Sequence, residues 1–407
     1  MSIGIEKINL YAGWLCADAV ALATARGRDR NYVVNDVMVG VRSVIPPYED
    51  PVTLAVNAAE RMLSDDDRRD IELLIVATES AVDFAKPIST WVHRFCRLGE
   101  NCRNFEVKHA CYGATAALKM ALAWLRGMNR PSAKALVISS DLTRPHLADD
   151  LDFIGGGCAV AMLVSAKPEI VEIDPGEAGY WTSEIADTFR PTARDEIGDN
   201  QASLYSYLDA LDGAFAHFAS VVDAPADPDY FKRYVYHAPF PGMTFQAHRC
   251  LIGRFGITDK TAVRAHFDAT VLDGLRIARC IGTAYGASNF VSLISLLGGA
   301  SDLLAADRIA FFAYGSGCQG EFYSGRIGCS AAEYVRALAI DRYLGERHAL
   351  SIDEFDRHED ERWRSIDCRD YIPDRTAESD TYDRFYRGKG LLVLDRVKDF
   401  RRKYEWS

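Results

Sequence analysis

An α/β fold with largely buried sheets is expected for this chain on three grounds. Apolar runs of strand length alternate with longer helical patterns, several of the runs end in polar residues, and one helix-opening pattern occurs twice. The 407 residues are too many for one small core and fit two domains or one large duplicated fold.

In chain order, IELLIVATES (71–80) is a buried strand with a polar end, and CRNFEVKHA (102–110) is a second strand. CYGATAALKMALAWLRG (111–127) follows at once as an Ala- and Leu-rich helix closed by Gly127. KALVISSD (134–141) is a strand, and GGGCAVAMLVS (155–165) is a glycine run followed by another. The second half repeats the theme. RYVYHAP (233–239) is a strand with a polar end, and GTAYGASNFVSLISLLGG (282–299) is a helix after a tight turn. DRIAFFAYGSGCQGEFYSGRI (307–327) is a strand, a glycine turn and a second strand. CYGATAAL (111–118) and AYGASNFV (284–291) share Tyr-Gly-Ala-Thr/Ser at the opening of an apolar helix. The match is either an internal duplication, with the reactive residue kept in one copy, or a chance agreement of small residues. From about residue 350 the chain is charged and aromatic, and a peripheral helical appendage is expected there.

Composition narrows the function. The net charge of −11 argues against nucleic acid as a broad partner, since phosphate binding needs clustered cations. No apolar run approaches the roughly 18 residues of a membrane span. The first residues lack a basic n-region, so no secretory signal is expected and the expected location is cytoplasmic. Ten cysteines are scattered without a C-x-x-C pair. That pattern fits reduced, mostly buried thiols, not a disulfide frame or a metal site.

Four places carry candidate chemistry. Cys111 stands where a strand gives way to a helix, and the unpaired N–H groups and dipole there are expected to lower its thiol pKa. Its alternative is the small buried hydrophobe that the other nine cysteines are taken to be. Glu79 ends an apolar strand, where desolvation raises a carboxylate toward a useful general base; facing water is the alternative. His237 ends a strand-like run in YVYHAPFPGM, as a proton carrier or as a satisfied core histidine. The loop YGSGCQGEF (314–322) is either a turn that aims N–H groups at an oxyanion or a plain hairpin. Gly155-Gly156-Gly157 lacks the spacing of a dinucleotide or phosphate loop.

At HACYGATAAL (109–118), with ATES before it and YHAPF and YGSGCQGEFYSG after it, the chain resembles the hydroxymethylglutaryl-coenzyme A synthase family. The resemblance runs end to end. PPYEDPVTLAVNAAE (46–60), FEVKHACYGATAALKMAL (105–122), KALVISSDLTR (134–144), AHR (247–249) and FRRKYEW (400–406) are most similar to the branch that serves polyketide assembly lines. The resemblance implies a thiolase-like fold of two similar halves in αβαβα layers, divided as 1–170, 171–345 and a C-terminal appendage over 346–407. It also implies a homodimer without metal or cofactor. Cys111 would carry acetyl from a donor acyl carrier protein, and Glu79 would remove a methyl proton. The enolate would attack the β-ketone of a carrier-bound acceptor oriented by His237. Backbone N–H groups of Cys111 and Ser316 would form the oxyanion hole, with Tyr112, Gly315 and Thr283 also at the substrate.

Two departures stand out. Thr283 replaces the family's usual Asn and cannot offer the same amide geometry. NDVMVGVRSV (35–44) and PFPGMTFQAHR (239–249) lack the G-[IL]-G-Q segment and the lysines of the primary-metabolic enzymes. Use of acetyl-CoA and acetoacetyl-CoA is one alternative, and an inactive carrier-binding homologue is another. Arg26, Arg28 and Arg30 form a basic run to which a carrier protein could dock, or a solvated loop.

Overall fold

Nine segments pair into one mixed sheet: β1 Gly4–Tyr11, β2 Ile71–Ala77, β3 Arg103–Val107, β4 Lys134–Leu142, β5 Gly157–Ser165, β6 Val171–Thr182, β7 Arg233–Tyr236, β8 Arg308–Gly315 and β9 Gln319–Ile327. The computed structural model describes residues 2–128, 130–144, 152–223, 227–376 and 380–407. The spatial order is β7-β8-β9-β6-β1-β5-β4-β2-β3. Outward from the centre, β1 is followed by antiparallel β5 and β4, then by parallel β2 and β3. On the other side, β6 is followed by antiparallel β9 and β8, then by parallel β7. The same winding thus occurs twice, and the two copies meet where β1 pairs with β6 at Gly4–Glu172 and Ile5–Val171.

Strand alternation explains the near-continuous apolar runs, because both faces of each strand are covered. In β5, Cys158, Val160, Met162 and Val164 enter a central core, while Ala159, Ala161 and Leu163 enter an outer one. In β8, Ile309, Phe311 and Ala313 are central, and Ala310, Phe312 and Tyr314 enter a second outer core. Helix α1, Pro51–Glu60, packs in the first outer core. Its start is fixed by Asp50, whose side chain accepts from Val52 N and Thr53 N, with Pro51 at the first helical position. Helix α2, Gly113–Met128, and helix α4, Ser288–Gly299, share the central core. Helix α3, Asn200–Val222, fills the other outer core. Outer helices, one half of the sheet, the paired α2 and α4, the other half and outer helices follow the five-layer order expected, and α2 and α4 are the helices that open with the repeated Tyr-Gly-Ala pattern. No described helix is long and apolar enough to cross a membrane.

The helical appendage over 346–407 needs correction. Ile352–Ser365 (α5) is a helix, but Leu392–Lys398 (β10) and Arg401–Trp406 (β11) form an antiparallel hairpin. Asp399 and Phe400 both adopt positive φ, 47° and 61°, as a tight hairpin turn requires. Leu392, Val393 and Leu394 are buried, and the Asn57 amide pairs with both the N–H and the carbonyl of Leu392. The charged residues interleaved along both strands hide this pattern in the sequence.

Candidate active site

The carboxyl ends of β2 and β4 and the turn before α2 meet at one centre, and the end of β7 is tied to it through the turn that opens α4. Asp141, near the end of β4, accepts from Thr78 Oγ1 at 3.0 Å and from Glu79 N at 2.8 Å, fixing the backbone beyond β2. Cys111 lies between β3 and α2, in a turn closed by Tyr112 N donating to His109 O at 3.0 Å. Cys111 Sγ donates to Glu79 Oε1 at 3.3 Å. Burial raises the Glu79 carboxyl to about 7; the nearby Arg190 opposes that rise, and Asp141 and Glu196 add to it. The expected lowering of the Cys111 thiol is overturned. Burial, and then the Glu79 carboxylate beside it, push the thiol well above its ordinary value, and these outweigh the helix end. The pair rests as a thiol beside a carboxylate that ionises near neutrality.

His237 follows β7 and is 1% exposed. Its N–H donates to Phe312 O at 2.7 Å, and its carbonyl accepts from Tyr207 Oη at 2.8 Å. Nδ1 lies 2.6 Å from Ser288 Oγ, at the first residue of α4. Burial drops the imidazole to about 3, so it is neutral at physiological pH. Ala238 N also donates to Ser288 Oγ, at 3.3 Å. Ser288 Oγ thus orients the ring by its contact with Nδ1 and leaves Nε2 free of that contact. The turn that opens α4 also touches the nucleophile: a side chain at Gly286 would meet Cys111 O at 3.1 Å. His237 thus reaches the Cys111 centre through α4.

The glycine loop between β8 and β9 lies against the same turn. A Cβ at Gly315 would sit 2.6 Å from both Tyr112 N and Tyr112 Cβ and 2.7 Å from His109 O, so only glycine allows this approach. Buried Asp187 holds the loop by accepting from Tyr314 Oη at 2.7 Å and Gly317 N at 3.0 Å, which fixes Ser316 between them. Tyr112 Oη donates to buried Glu321 Oε2 at 2.6 Å, and Lys119 pairs with Glu321 Oε1 at 3.0 Å. Thr283 N donates to Ile154 O at 3.0 Å, which docks the turn before α4 on the 154–156 backbone. Gly155 and Gly156 permit close packing there, against Arg42 and Ile281 O.

Sequence reasoning singled out Glu79, Cys111, His237, Tyr112, Thr283, Gly315 and Ser316. It missed Asp141, Asp187, Arg190, Ser288 and Glu321. Asp141 ends an apolar strand as Glu79 does, and Ser288 lies within the repeated pattern; those two signals were present in the chain. Of the basic run, Arg26 is bound to Asp152 at 2.8 Å and to Asp356, so its charge is neutralised locally.

Hydroxymethylglutaryl-coenzyme A synthase family models match this chain, the N-terminal one over residues 2–169 and the C-terminal one over residues 256–407. The chain belongs to the hydroxymethylglutaryl-coenzyme A synthase family. Its fold is thiolase-like, and it is an acyltransferase of the condensing type. It is 36% identical to the polyketide biosynthesis 3-hydroxy-3-methylglutaryl-ACP synthase PksG of Bacillus subtilis (strain 168), over all of this chain and 99% of that one. It is 30% identical to the hydroxymethylglutaryl-CoA synthase of Enterococcus faecalis, over 88% of this chain and 91% of that one. The solved HMG synthase of the curacin biosynthetic pathway superposes with a TM-score of 0.95 at 36% identity, covering both chains fully. The same enzyme in complex with acetyl donor-ACP superposes at 0.94.

Proposed function

We propose that this enzyme condenses an acetyl group, delivered by a donor acyl carrier protein to Cys111, with the β-ketone of a carrier-bound polyketide intermediate. The carrying observation is the Cys111 Sγ–Glu79 Oε1 hydrogen bond with Glu79 poised at about 7. A thiol raised by burial needs a proton acceptor as it attacks, and the adjacent carboxylate is one. The proton passes to the departing pantetheine thiol. Glu79, again ionised, takes a proton from the acetyl methyl. The enolate carbon bonds the ketone carbon; the ketone oxygen accepts a hydrogen bond from His237, and the proton that Glu79 took from the methyl passes through the imidazole to the alkoxide, which leaves Glu79 ionised and His237 neutral again. Water finally cleaves the product from Cys111. N–H groups of Cys111 and Ser316 hold the thioester oxygen; the close contact of Gly315 with the Tyr112 backbone supports that pairing.

Similarity to an enzyme solved with donor-ACP supports the carrier as donor. For the acceptor, residues 239–246 after His237 contain no cation. His248 is buried against His266, with 2.8 Å between ring nitrogens, and so is withdrawn from any phosphate. A coenzyme A nucleotide favours Lys or Arg at the mouth, while a carrier arm leaves its only phosphate with its protein. The test compares kcat/KM for acetoacetyl-CoA and acetoacetyl-carrier on one acetylated preparation. A preference for the carrier of at least about tenfold, roughly 1.4 kcal/mol, is expected. Equal or better use of the CoA form would transfer the assignment to primary metabolism, the reading that similarity to the Enterococcus faecalis enzyme favours.

Two halves over 1–170 and 171–345, with 346–407 appended, are proposed as the organisation, since the strand winding restarts at β6. A homodimer is proposed through the outer edge of β3, which has a single strand neighbour among the described residues. Light scattering that gives a monomer mass would exclude it.

A further inference from the structure

A short hairpin reaches over Glu79. Thr188–Phe189 pairs with Ile197–Gly198, so Arg190 and Glu196 stand opposite each other where its loop begins and ends. Arg194 in that loop donates to the carbonyls of Trp363 and Ile366 and ties it to the end of α5. The Arg190 side chain is 8% exposed. One terminal nitrogen donates to Glu79 O at 3.2 Å and Ser80 Oγ at 2.9 Å, and the other to Glu196 Oε2 at 2.8 Å. The guanidinium also lies 4.7 Å over the Tyr285 ring. These contacts leave Nε, which is buried and has no hydrogen-bond partner among the described residues. It faces Glu79 Oε2 at 3.8 Å, while Oε1 accepts from the Cys111 thiol.

An orphaned buried donor is costly unless it finds an acceptor in some state of the cycle. Acylation of Cys111 removes the thiol hydrogen that holds Oε1, at the step that needs the carboxylate held against the acetyl methyl. We propose that Arg190 is a positioning residue for Glu79, its Nε–H taking up the carboxylate once Cys111 is acylated. This rests on the reading of Glu79 as the base. The charged and titratable groups facing Glu79 are Cys111 from the turn before α2, Asp141 from β4, Arg190 and Glu196 from the hairpin, and Tyr285 from the turn before α4. Arg190 is the cation among them.

The test separates loading from condensation in the full-length enzyme. Acetyl transfer to Cys111 is followed by intact mass, and pre-acetylated enzyme is then mixed with acetoacetyl-carrier in single turnovers across pH. For Arg190→Met, condensation at pH 7 is expected to fall at least about thirtyfold; loading, which also uses the Glu79 carboxylate as proton acceptor, slows at pH 7 but returns to within about threefold of wild type at alkaline pH, whereas condensation stays below wild type there. Removing a cation raises a neighbouring carboxyl, so the rising limb of the condensation profile moves up by about one to three pH units. Arg190→Lys keeps the limb near its wild-type position but condenses more slowly, because one ammonium cannot replace the three-way fork. Wild-type condensation and an unmoved limb in Arg190→Met overturn the proposal. If the Met variant does not fold, Arg190→Lys decides: slowed condensation with intact loading supports the role, and wild-type condensation overturns it. Glu79→Gln runs beside them. Unimpaired condensation there refutes the base itself, whereas an impaired Gln variant beside an unaffected Arg190→Met refutes only Arg190.

Discussion

Glu79→Gln should make the protein more stable at alkaline pH while removing its chemistry. Burial raises the Glu79 carboxyl from 4.5 to about 7. The native state therefore binds a proton that the unfolded chain has released, and stability is lost as pH rises from about 4.5 through 7. With those two values, ionising Glu79 costs the fold roughly 1 kcal/mol at pH 5 and roughly 3 kcal/mol at pH 8. The neutral amide removes the cost and still accepts a hydrogen bond from Cys111. The Gln variant should thus gain about 2–3 kcal/mol relative to wild type between pH 5 and pH 8. For a chain of this length that is about 3 °C in Tm. Calorimetry of both proteins at the two pH values measures the difference of differences. A Tm difference that does not change with pH would refute the reasoning that burial dominates Glu79.

Three further outcomes are expected. Gly315→Ala forces a methyl to within 2.6 Å of the Tyr112 backbone nitrogen, which cannot yield without moving the Cys111 turn; stability should fall by about 1–3 kcal/mol and acetyl loading should slow, read by melting and intact mass. Ser288→Ala removes the 2.6 Å partner of His237 Nδ1; condensation should fall by about 10- to 100-fold, matching roughly 1–3 kcal/mol for a lost buried partner, with loading unchanged in single turnovers. Arg26→Glu places a third carboxylate against Asp152 and Asp356; it should lower Tm and slow acetyl-carrier and acetyl-CoA donors equally, while a carrier-selective effect would restore Arg26 to a docking surface.

The layered fold was legible because buried strands leave near-continuous apolar runs and because α2 and α4 open with one pattern. Glu79 and His237 stand just past strand ends and Cys111 in the turn before α2, positions that local sequence marks, whereas their grouping rested on the family resemblance. Arg190 was not legible, since it enters from a two-residue hairpin strand more than a hundred residues from Glu79 in sequence. Glu321 was hidden inside an apolar strand, and its partners Tyr112 and Lys119 lie about two hundred residues away. The thiol shift was misjudged for a related reason. A helix end is visible in sequence, but the desolvation and the carboxylate that outweigh it are properties of the assembled site.

The central claim is that acetyl passes through Cys111 on its way to the new carbon–carbon bond. Peptide mapping of enzyme treated with isotopically labelled acetyl-carrier, before and after a chase with β-ketoacyl-carrier, tests it most directly. One labelled acetyl group on the Cys111 peptide is expected, moving into the condensed product during the chase. Cys111→Ala should carry no label and form no product. Label on another cysteine, or condensed product from Cys111→Ala, would contradict the account.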